Sequence, residues 1–140
     1  MASANLELVR SIYAAWERGD YSSAAWAHPE IELVFADGPS PGRWTGLAGL
    51  AEFMRDILLA WEDWRVEADE YRELDDERVL TLSHFSGRGK TSGLELGQMR
   101  TKGAELFHVR DGKVTRLVIY WGRERAFADL GLASDARVRE

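Results

Sequence analysis

The stretch Leu47-Ala-Gly-Leu50-Ala-Glu-Phe53-Met54-Arg-Asp-Ile57-Leu58-Leu-Ala-Trp61 places its large apolar residues at i, i+3, i+4 and i+7, and so predicts an amphipathic helix from Leu47 to Trp61. The period then changes to two. Trp64, Val66 and Ala68 alternate with charged residues towards Glu73, Asp75-Asp-Glu77 makes a turn, and Arg78 to Phe85 is an apolar, β-branched run. A helix answered by consecutive strands is the mark of an α+β domain, in which helices segregate to one side of an antiparallel sheet.

Upstream of this switch, Leu6, Val9, Ile12, Tyr13 and Trp16 recur at helical spacing from Asn5 to Arg18, and Gly19 supplies a stop. Asp20 can cap a short second helix through Ser22 to Trp26, ended by His28-Pro29. Ile31, Leu33 and Phe35 alternate against Glu32 and Val34, predicting a strand with one buried face. Asp37-Gly-Pro-Ser-Pro-Gly-Arg43 is a loop. Downstream, Gly87-Arg-Gly-Lys90 reads as the close of a hairpin, and Thr91 to Arg110 as a long bent strand. Asp111-Gly112 is a two-residue hairpin turn leading to a last strand, Lys113 to Trp121. A short helix is expected from Arg123 to Leu130, ended by Gly131. No repeat or linker divides the chain, so residues 1–140 are expected to form one domain.

Composition narrows the chemistry. The chain is 45% hydrophobic and 30% charged, as an ordinary globular domain is. It has no cysteine, which removes disulfides, thiolate nucleophiles and thiolate metal sites. The three histidines lie at no metal-ligand spacing, so no metal is expected. A formal charge of −6 with dispersed Lys and Arg argues against a nucleic-acid partner. Neither a signal peptide nor a membrane span is visible, so the expectation is a cytoplasmic protein with no membrane partner. Six tryptophans in so short a chain suit a core, or a cavity for a flat apolar ligand.

Five local strings then bear on kinship: Ala14-Ala-Trp-Glu-Arg-Gly-Asp20, His28-Pro-Glu-Ile-Glu32, Trp44-Thr-Gly46, Arg110-Asp-Gly-Lys-Val114 and Tyr120-Trp121. In this order and spacing the chain resembles the SnoaL-like and ketosteroid isomerase branch of the nuclear transport factor 2-like superfamily. The resemblance implies a cone, a curved antiparallel sheet wrapped round amphipathic helices, whose interior binds a small apolar ligand. It also implies, without any cofactor, isomerase, lyase or hydrolase chemistry on a carbonyl or hydroxyl compound. The alternative is a non-catalytic ligand-binding or dimerisation module.

By the same resemblance Asp37 occupies the place of the general base, and Glu105, two residues before Phe107, that of the acid that hydrogen-bonds the oxyanion. Turn chemistry is the other reading of Asp37. Glu105 shares the strand parity of Phe107 and Val109, which puts it on the buried face, where burial would raise its pKa. The family's tyrosine on the first helix aligns with Ile12, leaving Tyr13 one residue off. The cavity is expected to be bordered by Trp16, Trp44, Phe53, Phe107, Tyr120 and Trp121, with Tyr13 beside Trp16 at its roof or in the core. His84 joins them unless Phe85 faces inward, since period-two geometry forbids both. Finally, Val79, Leu80 and Leu82, with Leu117, Val118 and Ile119, break alternation. Both sheet faces therefore avoid water, under a second subunit in a homodimer or under the C-terminal helix.

Overall fold

A computed structural model describes residues 3–21, 23–37, 42–89 and 101–131. The chain opens with α1 (Ala4–Glu17), capped by Ser3, whose Oγ accepts from Leu6 N at 3.1 Å, and closed by Gly19 at φ +84°. β1 (Ala27–Phe35) and the short β2 (Gly42–Thr45) follow, then α2 (Gly46–Ala60). β3 (Trp61–Glu73), β4 (Arg78–Gly89), β5 (Thr101–Arg110) and β6 (Lys113–Tyr120) run on, and α3 (Arg123–Leu130) ends at Gly131 in the left-handed region. No helix among the described residues is long and apolar enough to cross a membrane.

The six strands form one curved, unclosed sheet in the order β2-β1-β6-β5-β4-β3. Every pairing is antiparallel except β1 with β6, which is parallel. That pairing departs from an all-antiparallel expectation, and the long connection through α2 and β3–β5 permits it, since a parallel pair needs a crossover rather than a tight turn. Asp111 at φ +53° and Gly112 at φ +76° make the β5–β6 turn that their dipeptide predicts.

Three local expectations change. Residues 23–26 form a turn rather than a helix: Ser23 N donates to Asp20 Oδ1, Ala27 N to Ala24 O, and Trp26 Nε1 to Ser23 O. One turn fixes too many dihedrals for its few bonds to propagate, and β1 already claims Ala27. Gly87 and Gly89 lie within β4 instead of closing a hairpin, because β3 starts as early as Trp61 and pairs that residue with Gly89. The β4–β5 connection, residues 90–100, falls outside the described residues. β2, an edge strand that starts in the last two residues of the predicted loop, has only four residues, too few for a pattern to betray.

Strand parity sorts the side chains into two layers. Ile31, Leu33, Phe35, Val79, Phe85, Phe107, Leu117 and Ile119 face α1 and α2 and join Val9, Ile12, Tyr13, Trp16, Leu50 and Phe53 in the main core. Leu80, Leu82, Ala104, Leu106, Val118 and Tyr120 face the other way and pack under Ala126 and Phe127 of α3. The broken alternation is thus met, for these residues, by the C-terminal helix. Val34, Ala36, Leu106 and Val118 border a cleft beside α3, together with Arg78, His108, Arg116, Arg125 and Asp129.

Candidate functional site

Glu105 is the buried carboxylate of the main core, 2% exposed, on the inward face of β5 where its parity places it. Its neighbours come from three elements. Tyr13 of α1 donates its hydroxyl to Oε1, and Ser83 of β4 donates to Oε2 at 2.8 Å. Thr81, its register partner on β4, is buried beside it. Burial drives the Glu105 pKa from 4.5 to about 7, against the opposing pull of the Tyr13 and Ser83 hydroxyls and the Arg123 charge. Burial also pushes Tyr13 well above the usual tyrosine range, with the Glu105 charge adding to it, so Tyr13 stays a phenol and a donor.

Tyr13 is held rigidly. Its ring meets Trp16, Tyr71 and Phe107 edge-on at centroid distances of 5.0, 5.9 and 5.8 Å. Tyr13 thus reaches Glu105 from α1, while Ile12, the position aligned with the family's tyrosine, packs in the apolar core.

Next to this pair lies an apolar cavity of about 40 Å³. Trp16, Phe35, Phe53, Ile57, Trp64, Phe85, Ile119 and Trp121 wall it, with Tyr21 and Met54, and Glu105 is the carboxylate in its lining. The Trp121 indole N–H is buried and has no hydrogen-bond partner among the described residues.

Of the residues expected at the cavity, Trp16, Phe53, Glu105 and Trp121 line it. Trp44 stands behind the wall, its ring edge-on to Phe53 at 4.9 Å. Phe107 is fully buried under Tyr13. Tyr120 lies on the opposite sheet face under α3, where burial and Asp129 push its pKa up to about 12. Tyr120 and Trp121 are consecutive, and the pleat sends them to opposite faces.

His84 likewise points away from the cavity, while Phe85 points in. Its Nδ1 lies 2.9 Å from Asp69 and its Nε2 2.8 Å from Glu67. Asp69 also receives Arg123 Nη2 at 2.7 Å, and the same guanidinium donates to the carbonyls of Ser83 and Gly103 at 2.8 and 3.0 Å. Those carbonyls belong to a register pair flanking Glu105, so Arg123 clamps the sheet from the outer side.

Asp37 is not brought to Glu105. Its two oxygens accept from the backbone N–H groups of Trp121 at 2.7 Å and Gly122 at 3.2 Å, at the start of α3, and it does not line the cavity. The carboxylate answers unpaired helix N-terminal donors, which is turn chemistry across the fold rather than within its own loop. Residues 38–41 of that loop lie outside the described residues. Tyr21, Phe35, Met54, Ile57, Trp64, Val66 and Ile119 are lining residues that the sequence does not single out, since an inward-facing aromatic or aliphatic looks the same whether it fills space or borders it. Among the described residues no three His, Asp or Glu side chains converge as metal ligands would.

Residues 9–117 match the SnoaL-like domain model. The chain belongs to the SnoaL-like family. This is a small-molecule-binding family with the nuclear transport factor 2-like fold, and solved structures agree on the architecture. TerC, co-crystallised with polyporic acid, is 24% identical with a TM-score of 0.72, over 91% of this chain and 98% of its own. A protein of ketosteroid isomerase-like fold from Catenulispora acidiphila, in complex with trimethylamine, is 16% identical with a TM-score of 0.71, over 94% and 98%. An NTF2-like protein of unknown function from Burkholderia pseudomallei is 20% identical with a TM-score of 0.75, over 91% and 97%. No curated protein matches the chain.

Proposed function

We infer that this SnoaL-like chain binds a small apolar molecule bearing a carbonyl or hydroxyl oxygen, and that Glu105 hydrogen-bonds or protonates that oxygen. The observation that carries this is a buried carboxylate, held by Tyr13 and Ser83, in the wall of an otherwise apolar cavity, where burial raises its pKa to about 7. Ionised, Glu105 accepts from Tyr13 and Ser83; protonated, it gains an O–H that can donate. A group poised near neutrality suits general acid–base work, and a developing enolate or alkoxide next to it gains most where water is excluded. Tyr13 and Ser83 hold the carboxyl in place.

With Asp37 occupied by backbone amides, the pair that converges is Glu105 and Tyr13, so the proton chemistry of an isomerase, lyase or hydrolase would pass through Glu105 itself. TerC, a structural relative, is co-crystallised with polyporic acid.

The test uses an acceptor-only probe, para-methylacetophenone, titrated by tryptophan fluorescence between pH 5 and 9. Affinity is expected to fall as pH rises through about 7, where Glu105 loses its proton. Glu105→Gln keeps an N–H donor and should bind with no pH dependence. Equal pH profiles for the two proteins would remove Glu105 from the binding reaction.

A further inference from the structure

Beside the inner cavity runs a cleft of about 470 Å³ between α2 and the segment joining α1 to β1. Cavity and cleft share two walls, Tyr21 and Met54. Among the described residues three large hydrophobics stand exposed, Leu47 at 41%, Leu58 at 41% and Leu59 at 63%, and all three line this cleft. Apolar exposure gathered at one concavity, rather than scattered, marks a binding surface.

The partition between the two spaces is slight. Tyr21 is half-buried and its hydroxyl donates to Trp64 O at 3.0 Å, while Met54 is an unbranched side chain that repacks easily. The inner cavity, at about 40 Å³, holds little more than a small head group. A second neighbouring cleft of about 360 Å³ shares Trp16, Tyr21, Trp64 and Val66 with the cavity, but Glu17, Arg18, Asp63, Arg65 and Glu67 border it. The α2 cleft has two charged residues in its lining, Asp20 and Arg55, against these five, and its leucines favour an apolar tail.

We propose that the cleft along α2 is the tail subsite of the same ligand, so that the substrate class is an elongated amphiphile: a carbonyl-bearing head at Glu105 and an apolar chain that displaces Met54 and Tyr21 and lies on Leu47, Leu58 and Leu59. This rests on the reading of Glu105 as the head-group site. A protein segment is a poorer occupant. The cleft is of small-molecule size, and behind Tyr21 and Met54 lies a cavity that a peptide backbone cannot enter without losing its hydrogen bonds.

The experiment titrates a series of para-alkylacetophenones, from methyl to heptyl, into the full chain and into Leu58→Gln/Leu59→Gln. Both positions face solvent enough for the fold to survive, and glutamine keeps helix propensity. In the wild type, affinity is expected to rise by up to roughly fourfold per added methylene until the cleft is filled. The double variant should flatten this dependence, and Leu47→Gln, on another turn of α2, should flatten it in part. A wild-type series with no chain-length dependence, or one that the variants leave as steep, would overturn the tail subsite. Failure of the methyl compound to show its pH-dependent binding would instead overturn the head-group reading, and this proposal with it.

Discussion

Replacing Glu105 by Gln should change how stability depends on pH. In the folded chain the Glu105 pKa is raised to about 7 from 4.5. Between these two values the folded state holds a proton that the unfolded state has released. The protonated carboxyl's contribution is therefore fully present below about pH 4.5, is lost as pH rises towards 7, and stays lost above it. At about 1.36 kcal/mol for each tenfold change, the loss amounts to about 3 kcal/mol. Gln has nearly the same shape and cannot ionise, so the other titrating groups cancel when the two proteins are compared. Urea unfolding followed by tryptophan fluorescence at pH 5, 6, 7 and 8 is the assay. The stability of Glu105→Gln relative to the wild type should climb across that range by most of those 3 kcal/mol, equivalent to a midpoint shift on the order of 1–2 M urea. Two profiles that stay parallel would mean that Glu105 ionises freely in the fold, and the argument from its burial would fail.

Arg123→Met removes the positive charge that pulls the Glu105 pKa down, so the pH midpoint of ketone binding should move above that of the wild type; an unmoved midpoint would limit Arg123 to holding the strands. Gly103→Ala would put a methyl 2.4 Å from Tyr120 O and 2.7 Å from the Phe85 ring, and thermal unfolding should show a loss of about 3 kcal/mol, with the cavity wall displaced. If the strip of outer sheet beside α3 seats a second copy, sedimentation equilibrium at low micromolar concentration should give a mass that grows from 15.8 kDa towards twice that; a mass held at 15.8 kDa would end the homodimer proposal.

The sequence by itself determined the two long helices and the switch from helix to strands, since a change of period from 3.6 to two is written locally between Ala60 and Arg65 and needs no long-range information. It also determined which face Glu105 occupies, because strand parity from Phe107 and Val109 is a property of a few consecutive residues. It resolved His84 no further than a choice against Phe85, and packing made that choice by sending Phe85 inward.

What the tertiary structure alone decided is who meets whom. The Tyr13–Glu105 bond spans 92 positions, and its existence depends on how α1 is rotated over the sheet, which shifts a partner by a whole residue without altering the amphipathic pattern. Asp37 had a plausible place at the end of β1, yet the free N–H groups at the start of α3, 84 and 85 positions away, claimed it. The cover over Leu80, Leu82 and Val118 was undecided in sequence for the same reason. Apolarity demands burial but does not name the neighbour, and that choice belongs to the geometry of the whole chain.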